Sequence, residues 1–154
     1  MELKGAVAIV TGGSEGIGRA IAEALKSQGC EVTITGRRED AVRSTGVELG
    51  VDWTVADVGN EEDAIRTVKS VVDKHGRLDI LVNNAGFGLF KPLIELTLEE
   101  LESVYRTNVF GAFLMSREAA HHFIEQGSGE LINIASTSSL KGSATRTAYG
   151  SSKF

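Results

Sequence analysis

Proline is nearly absent from this sequence and cysteine occurs once, and each scarcity excludes something. Among 154 residues Pro92 is the single proline, against 18 glycines. Glycine without proline reads as tight turns and close backbone approaches, not as a disordered tract. Cys30 alone cannot close an internal disulfide and fits a reducing compartment. No basic run exceeds Arg37-Arg38 and the net charge is -5, which speaks against nucleic acid or an anionic membrane surface as partner. No apolar run reaches the ~18 residues of a membrane span. The opening Met1-Glu-Leu-Lys-Gly5 is too polar for a signal peptide. The cytoplasm is therefore the expected location. His75, His121 and His122 lack partners at metal-ligand spacing; no metal is expected, and all three read as surface residues.

What is present is ordinary for one globular domain with a real core: 42% hydrophobic and 24% charged residues. Ala6 to Thr11 is a short continuous apolar run, as in a strand buried on both faces. A glycine-rich turn follows, and Ile17, Ile21, Ala24 and Leu25 then recur at helical spacing until Gly29. Further strands are expected at Glu31 to Thr35, Val51 to Ala56, Leu78 to Val82 and Glu130 to Ala135, with Trp53 packed in the third. Between them lie a weaker helix from Glu39 to Leu49 broken by Gly46, and a helix after Glu61 whose buried stripe is Ile65, Val68 and Val72. A long helix is opened by the capping box Thr97-Leu-Glu-Glu100 and runs toward Phe123, and another begins at Tyr149. Strand and helix alternate five times with no repeat and no linker. That order predicts an α/β fold, a doubly wound parallel sheet whose ligands bind beyond the carboxyl ends of the strands.

The residues with chemistry fall at those ends. Gly12, Gly16 and Gly18 follow the first strand and open the first helix, where free N–H groups and the helix dipole attract a pyrophosphate. Their spacing differs from the commonest dinucleotide fingerprint, and a tight turn without ligand is the plainer alternative. Tyr149 and Lys153 stand four residues apart. On a helix they would share a face, ~6 Å apart along the axis. A cation that close favours phenolate over phenol, which lets a tyrosine exchange a proton as a general acid/base.

Taken together, Thr11-Gly12-Gly13-Ser14-Glu15-Gly16-Ile17-Gly18, Asn83-Asn84-Ala85-Gly86, Asn108, Ser136, Tyr149 and Lys153 resemble, in order and spacing, the motifs of the short-chain dehydrogenase/reductase family, in particular its 3-oxoacyl carrier-protein reductase-like members. The resemblance runs from Leu3 to Phe154. It implies a single Rossmann-like NAD(P)-binding domain over residues 1–154 and an NAD(P)-dependent oxidoreductase acting on a small carbonyl or secondary alcohol. Tyr149 would donate or accept the proton. Lys153 would assist it and hydrogen-bond the nicotinamide ribose, and Ser136 would hold the substrate oxygen. Asn108 would mark a helix kink that supports a water; read alone, it is a satisfied amide at a helix interface. The serine follows from the family's spacing, thirteen residues before the tyrosine, with Ser138 in reserve. Gly12, Ser14, Gly16, Ile17, Gly18, Asn84, Ala85 and Gly86 would line the cofactor, with Asp57 and Val58 at the adenine.

Cofactor choice hangs on the end of the second strand, Thr35-Gly36-Arg37-Arg38. Gly36 replaces the acid that would bind the 2′-OH of NAD, and Arg37 suits the 2′-phosphate of NADP. Glu15 in the glycine loop argues the other way. NADP is the expected cofactor, with NAD possible. Full-length members continue beyond the tyrosine helix with two more strands and a substrate loop, so the chain reads as C-terminally truncated relative to the family. The fifth strand would then be a sheet edge, and the helix from Thr97, which forms dimer contacts in relatives, implies a homo-oligomer. A nucleotide-binding module or inactive fragment without turnover remains the alternative.

Overall fold

The computed structural model describes residues 2–154. Its centre is a five-stranded, wholly parallel sheet in the order β3-β2-β1-β4-β5. The strands are β1 (Val7–Thr11), β2 (Glu31–Gly36), β3 (Asp52–Val55), β4 (Ile80–Asn83) and β5 (Glu130–Asn133). The helices are α1 (Gly16–Ser27), α2 (Glu39–Leu49), α3 (Glu61–His75), α4 (Leu98–Tyr105), α5 (Ala112–Gln126) and α6 (Thr147–Ser151). This is the Rossmann-like arrangement that the alternation predicts.

β1 lies between β2 and β4, and every one of its residues is buried. Its alternation divides the core. Ala8 and Val10 face α1 and α2, where Ala22, Ile34, Val42 and Val82 complete one cluster. Val7 and Ile9 face α3 and α5, where Ala64, Val68, Leu81, Met115 and Ala119 complete the other. The sheet is thus sandwiched on both faces, which is why its central strands read as continuous apolar runs. Asp79 is the charged exception. Its carboxylate accepts Val7 N–H (2.8 Å) and the Arg77 guanidinium (2.6 and 2.8 Å), tying the entrances of β1 and β4 together.

Several expectations need correction. α2 runs unbroken through Gly46, because the Trp53 ring packs where a side chain would stand: a Cβ there would fall under 3.0 Å from the indole. Trp53 keeps 36% exposure, as suits an edge strand. In α3, Ala64, Thr67, Val68 and Val71 form the buried stripe, while Ile65 faces outward. His75 is not a free surface group. Its side chain is 14% exposed, and its Nε2 lies 3.2 Å from Asp52 Oδ2. The long helix from Thr97 is interrupted by a π-helical turn, Arg106–Gly111, between α4 and α5. The capping box is as read, with Thr97 and Glu100 exchanging hydrogen bonds. α6 spans Thr147–Ser151, so Lys153 lies in the turn after it, its N–H bonded to Gly150 O at 3.0 Å.

Candidate active site

The ends of β1 and β4 are fastened to each other by side chains. Thr11 Oγ1 donates to Val82 O (3.3 Å) and accepts from the N–H groups of Asn84 and Ala85 (both 3.0 Å). Asn84 Nδ2 returns the connection, donating to Thr11 O (2.9 Å) and Gly12 O (3.1 Å). The two loops therefore form one rigid wall. Glycine is required in it twice over. Gly12 has φ +63°, and a Cβ on it would lie 2.9 Å from Ala85 Cα. Gly18 abuts Gly12 O and Asn84 Nδ2 so closely that any Cβ would sit under 3.0 Å from both.

Along this wall runs an open cleft of about 580 Å³ over the carboxyl ends of the strands. Of the sequence-derived candidates, Gly12, Ser14, Ile17, Arg37, Asp57 and Val58 line it, and so do Asn84, Ala85, Gly86, Ser136, Tyr149 and Lys153. Gly16 and Gly18 shape the loop without lining the cleft, and Asn108 borders a neighbouring hollow of about 380 Å³.

At the β2 end the two arginines differ. Arg38 pairs with Glu15, Nη2 to Oε2 at 2.8 Å. Both arginines and Glu15 line the cleft, but Arg37 makes no ion pair among the described residues. Thr45 Oγ1 holds Ser14 by its carbonyl (2.9 Å). Asp57 is fixed by its own turn: its Oδ1 accepts Gly59 N–H (3.0 Å) and its N–H donates to Asp63 Oδ2 (2.8 Å).

At the other end, Asn108 sits in the π-helical turn and all its amide groups are engaged. Oδ1 accepts Phe87 N–H (3.0 Å), while Nδ2 donates to Phe87 O (3.0 Å) and Ser152 Oγ (2.9 Å). It thus couples the loop after β4 to the turn carrying Lys153. A Cβ on Gly86 would lie 3.0 Å from Asn108 Oδ1 and 3.4 Å from Lys153 Nζ, so glycine there lets both groups close in. Lys153 Nζ donates to Ile134 O (2.9 Å). Ser136 caps the short turn Thr137–Ser139, its Oγ accepting Ser138 N–H (3.1 Å). Ser138 is buried and its Oγ accepts from Arg146 Nη1 (2.9 Å), while Ser139 Oγ donates to Lys153 O. Of the three serines only Ser136 lines the cleft. Tyr149 meets Phe90 edge-on, ring centroids 5.7 Å apart at 70°.

Sequence reasoning gave Thr11 no role beyond its place in the glycine motif, took Phe90 only as part of a stretch, Gly88 to Leu93, that could line a substrate mouth, and overlooked Arg146. A threonine ending a β run looks like part of the strand, and the arginine lies in a loop without a pattern.

The family model described as short chain dehydrogenase matches residues 6–154. The chain belongs to the short chain dehydrogenase family. An uncharacterized oxidoreductase of Thermotoga maritima is 38% identical, over 98% of this chain and 61% of that protein. The L-2,3-butanediol dehydrogenase of Corynebacterium glutamicum is 37% identical, over 96% of this chain and 60% of that one. A solved structure of NAD+-bound xylitol dehydrogenase superposes with a TM-score of 0.92 at 34% identity, over 99% of this chain and 61% of that one. This short chain dehydrogenase sequence thus spans about three fifths of the length of these relatives. Among its described residues no helix is long and apolar enough to cross a membrane.

Proposed function

We propose that the cleft binds a nicotinamide dinucleotide, NADP(H) in preference to NAD(H), and serves an oxidoreductase that interconverts a carbonyl compound and a secondary alcohol. The observation that carries this reading is the meeting of Ser136, Tyr149 and Lys153 with the glycine wall on one cleft. The wall fits the cofactor: glycine at positions 12 and 18 lets the loop after β1 pack directly against Asn84 and Ala85, which sets that loop at the start of α1, a place that suits a pyrophosphate.

When bound, the nicotinamide ring gives or takes the hydride. The residues handle the proton and the oxygen. Tyr149 donates a proton to the carbonyl oxygen in reduction and removes one from the alcohol in oxidation. Ser136 uses its hydroxyl oxygen to accept from Ser138, leaving its O–H to donate to the substrate oxygen. Lys153 has three N–H donors and gives one to Ile134 O, so two remain for the phenol and for a ribose. Asn108 acts as a positioning residue, because its amide joins Phe87, in the loop after β4, to Ser152, the residue next to Lys153.

NADP is supported by the contrast between the arginines. Arg38 neutralises Glu15 and so removes the repulsion that the acid would offer a 2′-phosphate, while Arg37 is left to bind one. Gly36 is not demanded by its backbone. A Cβ there would meet only ordinary contacts, the nearest at 3.4 Å from Ser14 Oγ. A second copy of the chain is the proposed partner, on the evidence of the apolar face of Phe110, Phe113 and Ile124, which are 52%, 60% and 79% exposed. A monodisperse monomer in sedimentation would remove that part.

Calorimetric titration with NADPH and NADH, beside turnover of a carbonyl panel, tests the whole. Tyr149→Phe should lower turnover by about 10² to 10⁴-fold while leaving nucleotide affinity nearly unchanged; survival of turnover would discard the assignment. Arg37→Ala should erase the NADPH preference and Gly36→Asp should reverse it. Equal affinities in the unmutated chain would discard the preference. NADPH binding without turnover would favour the plain nucleotide-binding module.

A further inference from the structure

The charges of the cleft are unevenly placed. The carboxylates lining it, Glu15 and Asp57, stand at the end shared with Arg37. Around Tyr149 the described lining residues include no acid, and the charged ones are Lys153 and Arg146. Arg146 is exposed and makes no ion pair among the described residues. It is nevertheless held in place. Its guanidinium stands over the Phe90 ring, 5.3 Å from the centroid, and Nη1 donates to the buried Ser138 Oγ at 2.9 Å. Phe90 in turn touches Tyr149 edge-on. The backbone fixes the same corner, with Lys91 N–H on Thr145 O (2.8 Å) and Arg146 N–H on Ser143 O (3.1 Å).

A guanidinium has five N–H donors in a planar fork that matches a carboxylate. Here Nη1 is occupied by Ser138, the ring lies under the guanidinium, and the residue lines the cleft beside the proposed acid/base with no other side-chain hydrogen bond among the described residues. Little side-chain freedom is left to lose when an anion arrives, and that is the condition for selective binding.

We propose that Arg146 is a specificity-determining residue that selects substrates bearing a carboxylate near the reacting carbonyl, so that the preferred substrate is a small oxo acid or the matching hydroxy acid. The proposal rests on the reading of the cleft as a nucleotide and carbonyl site. The neutral polyols and diols named for relatives would not use this guanidinium.

The test compares acids with their uncharged twins. Affinities of 3-oxobutanoate, 4-oxopentanoate and 5-oxohexanoate, and of their methyl esters, are measured by calorimetry on the chain with and without NADP+. At least one acid should bind about tenfold or more tightly than its ester, as expected for a charge-assisted pair. Arg146→Gln should bring that ratio close to one, and Arg146→Lys should restore part of it. Equal affinity of every acid and ester in the unmutated chain, absence of binding by all six, or a preference that survives Arg146→Gln would each overturn the proposal. Turnover of the same pairs with NADPH reports separately on the underlying reading. Esters and acids reduced equally would sink the selectivity and keep the function. An acid preference in binding without any reduction would keep the selectivity and count against the function.

Discussion

β1 and β5 belong to the same parallel sheet, yet they live in different surroundings. All of β1 is buried, with Ile9 and Val10 at 0% exposure. All of β5 is exposed, and its apolar residues Leu131 and Ile132 retain 40% and 46%. The hydrogen-bond ladder is similar in kind. β5 pairs with β4 over Ile80 to Asn83, much as β1 does over Ala8 to Val10. Neighbours and burial separate them: β1 has a strand on each side and helices on both faces, while β5 has a strand on one side only. The stability of the chain is therefore concentrated in the half that holds the proposed nucleotide wall, and the proposed proton-handling residues hang from the less protected end.

Removing side-chain volume from either strand should have very different costs. Ile9→Ala should cost about 3–4 kcal/mol, since it empties a site enclosed by two layers; denaturant unfolding of the chain gives the number. Gly18→Ala ranks next. Its methyl would push against Gly12 O, so a cost of roughly 1–3 kcal/mol should accompany a loss of nucleotide affinity, read by NADPH titration. An unchanged affinity would mean that the glycine wall is not the binding surface. Leu131→Ala in β5 should cost under about 1 kcal/mol, because much of that side chain already meets water. A cost rivalling that of Ile9→Ala would show β5 covered in solution, as self-association through that edge would do.

The smallest effect concerns β3. Burial alone would raise the carboxyl of Asp52, but hydrogen bonds from Lys74 and His75 outweigh it and hold the group below its ordinary value. A lowered folded value means stability that is fully present above the unfolded carboxylate's value of about 3.9 and is lost as pH falls through the lower folded value. Asp52 is 37% exposed, so water and salt reduce this to a few tenths of a kcal/mol. Asp52→Asn should cost that much at neutral pH and nothing in strong acid, measured by urea midpoints at both.

How far the sequence discloses this molecule depends on what kind of force fixes each part. Central strands are legible because burial on both faces demands unbroken apolar runs such as Ala6 to Val10. Gly46 misleads because glycine usually weakens a helix, whereas here it yields space to Trp53, a contact visible only in three dimensions. The π-helical turn leaves no compositional trace beyond Asn108, a residue ill suited to a helix interior, so the apolar pattern alone reads as one continuous helix and only the family resemblance marks a kink there. The site is more legible than its supports. Most of the candidate cleft residues follow from motif and spacing, Arg146 being an exception, while Thr11 and Ser152 act through partners 73 and 44 positions away.

The clasp at Thr11 has a consequence for the order in which the protein comes into being. The glycine loop is written within the first eighteen residues, but Asn84, which fixes it, is separated from Thr11 by 73 positions. A chain emerging from the ribosome holds the loop of the proposed phosphate site early and cannot set its shape until β4 and the turn after it have emerged and docked. Competence of the proposed nucleotide site is thus a late event in the life of the nascent chain, timed by a threonine waiting for an asparagine.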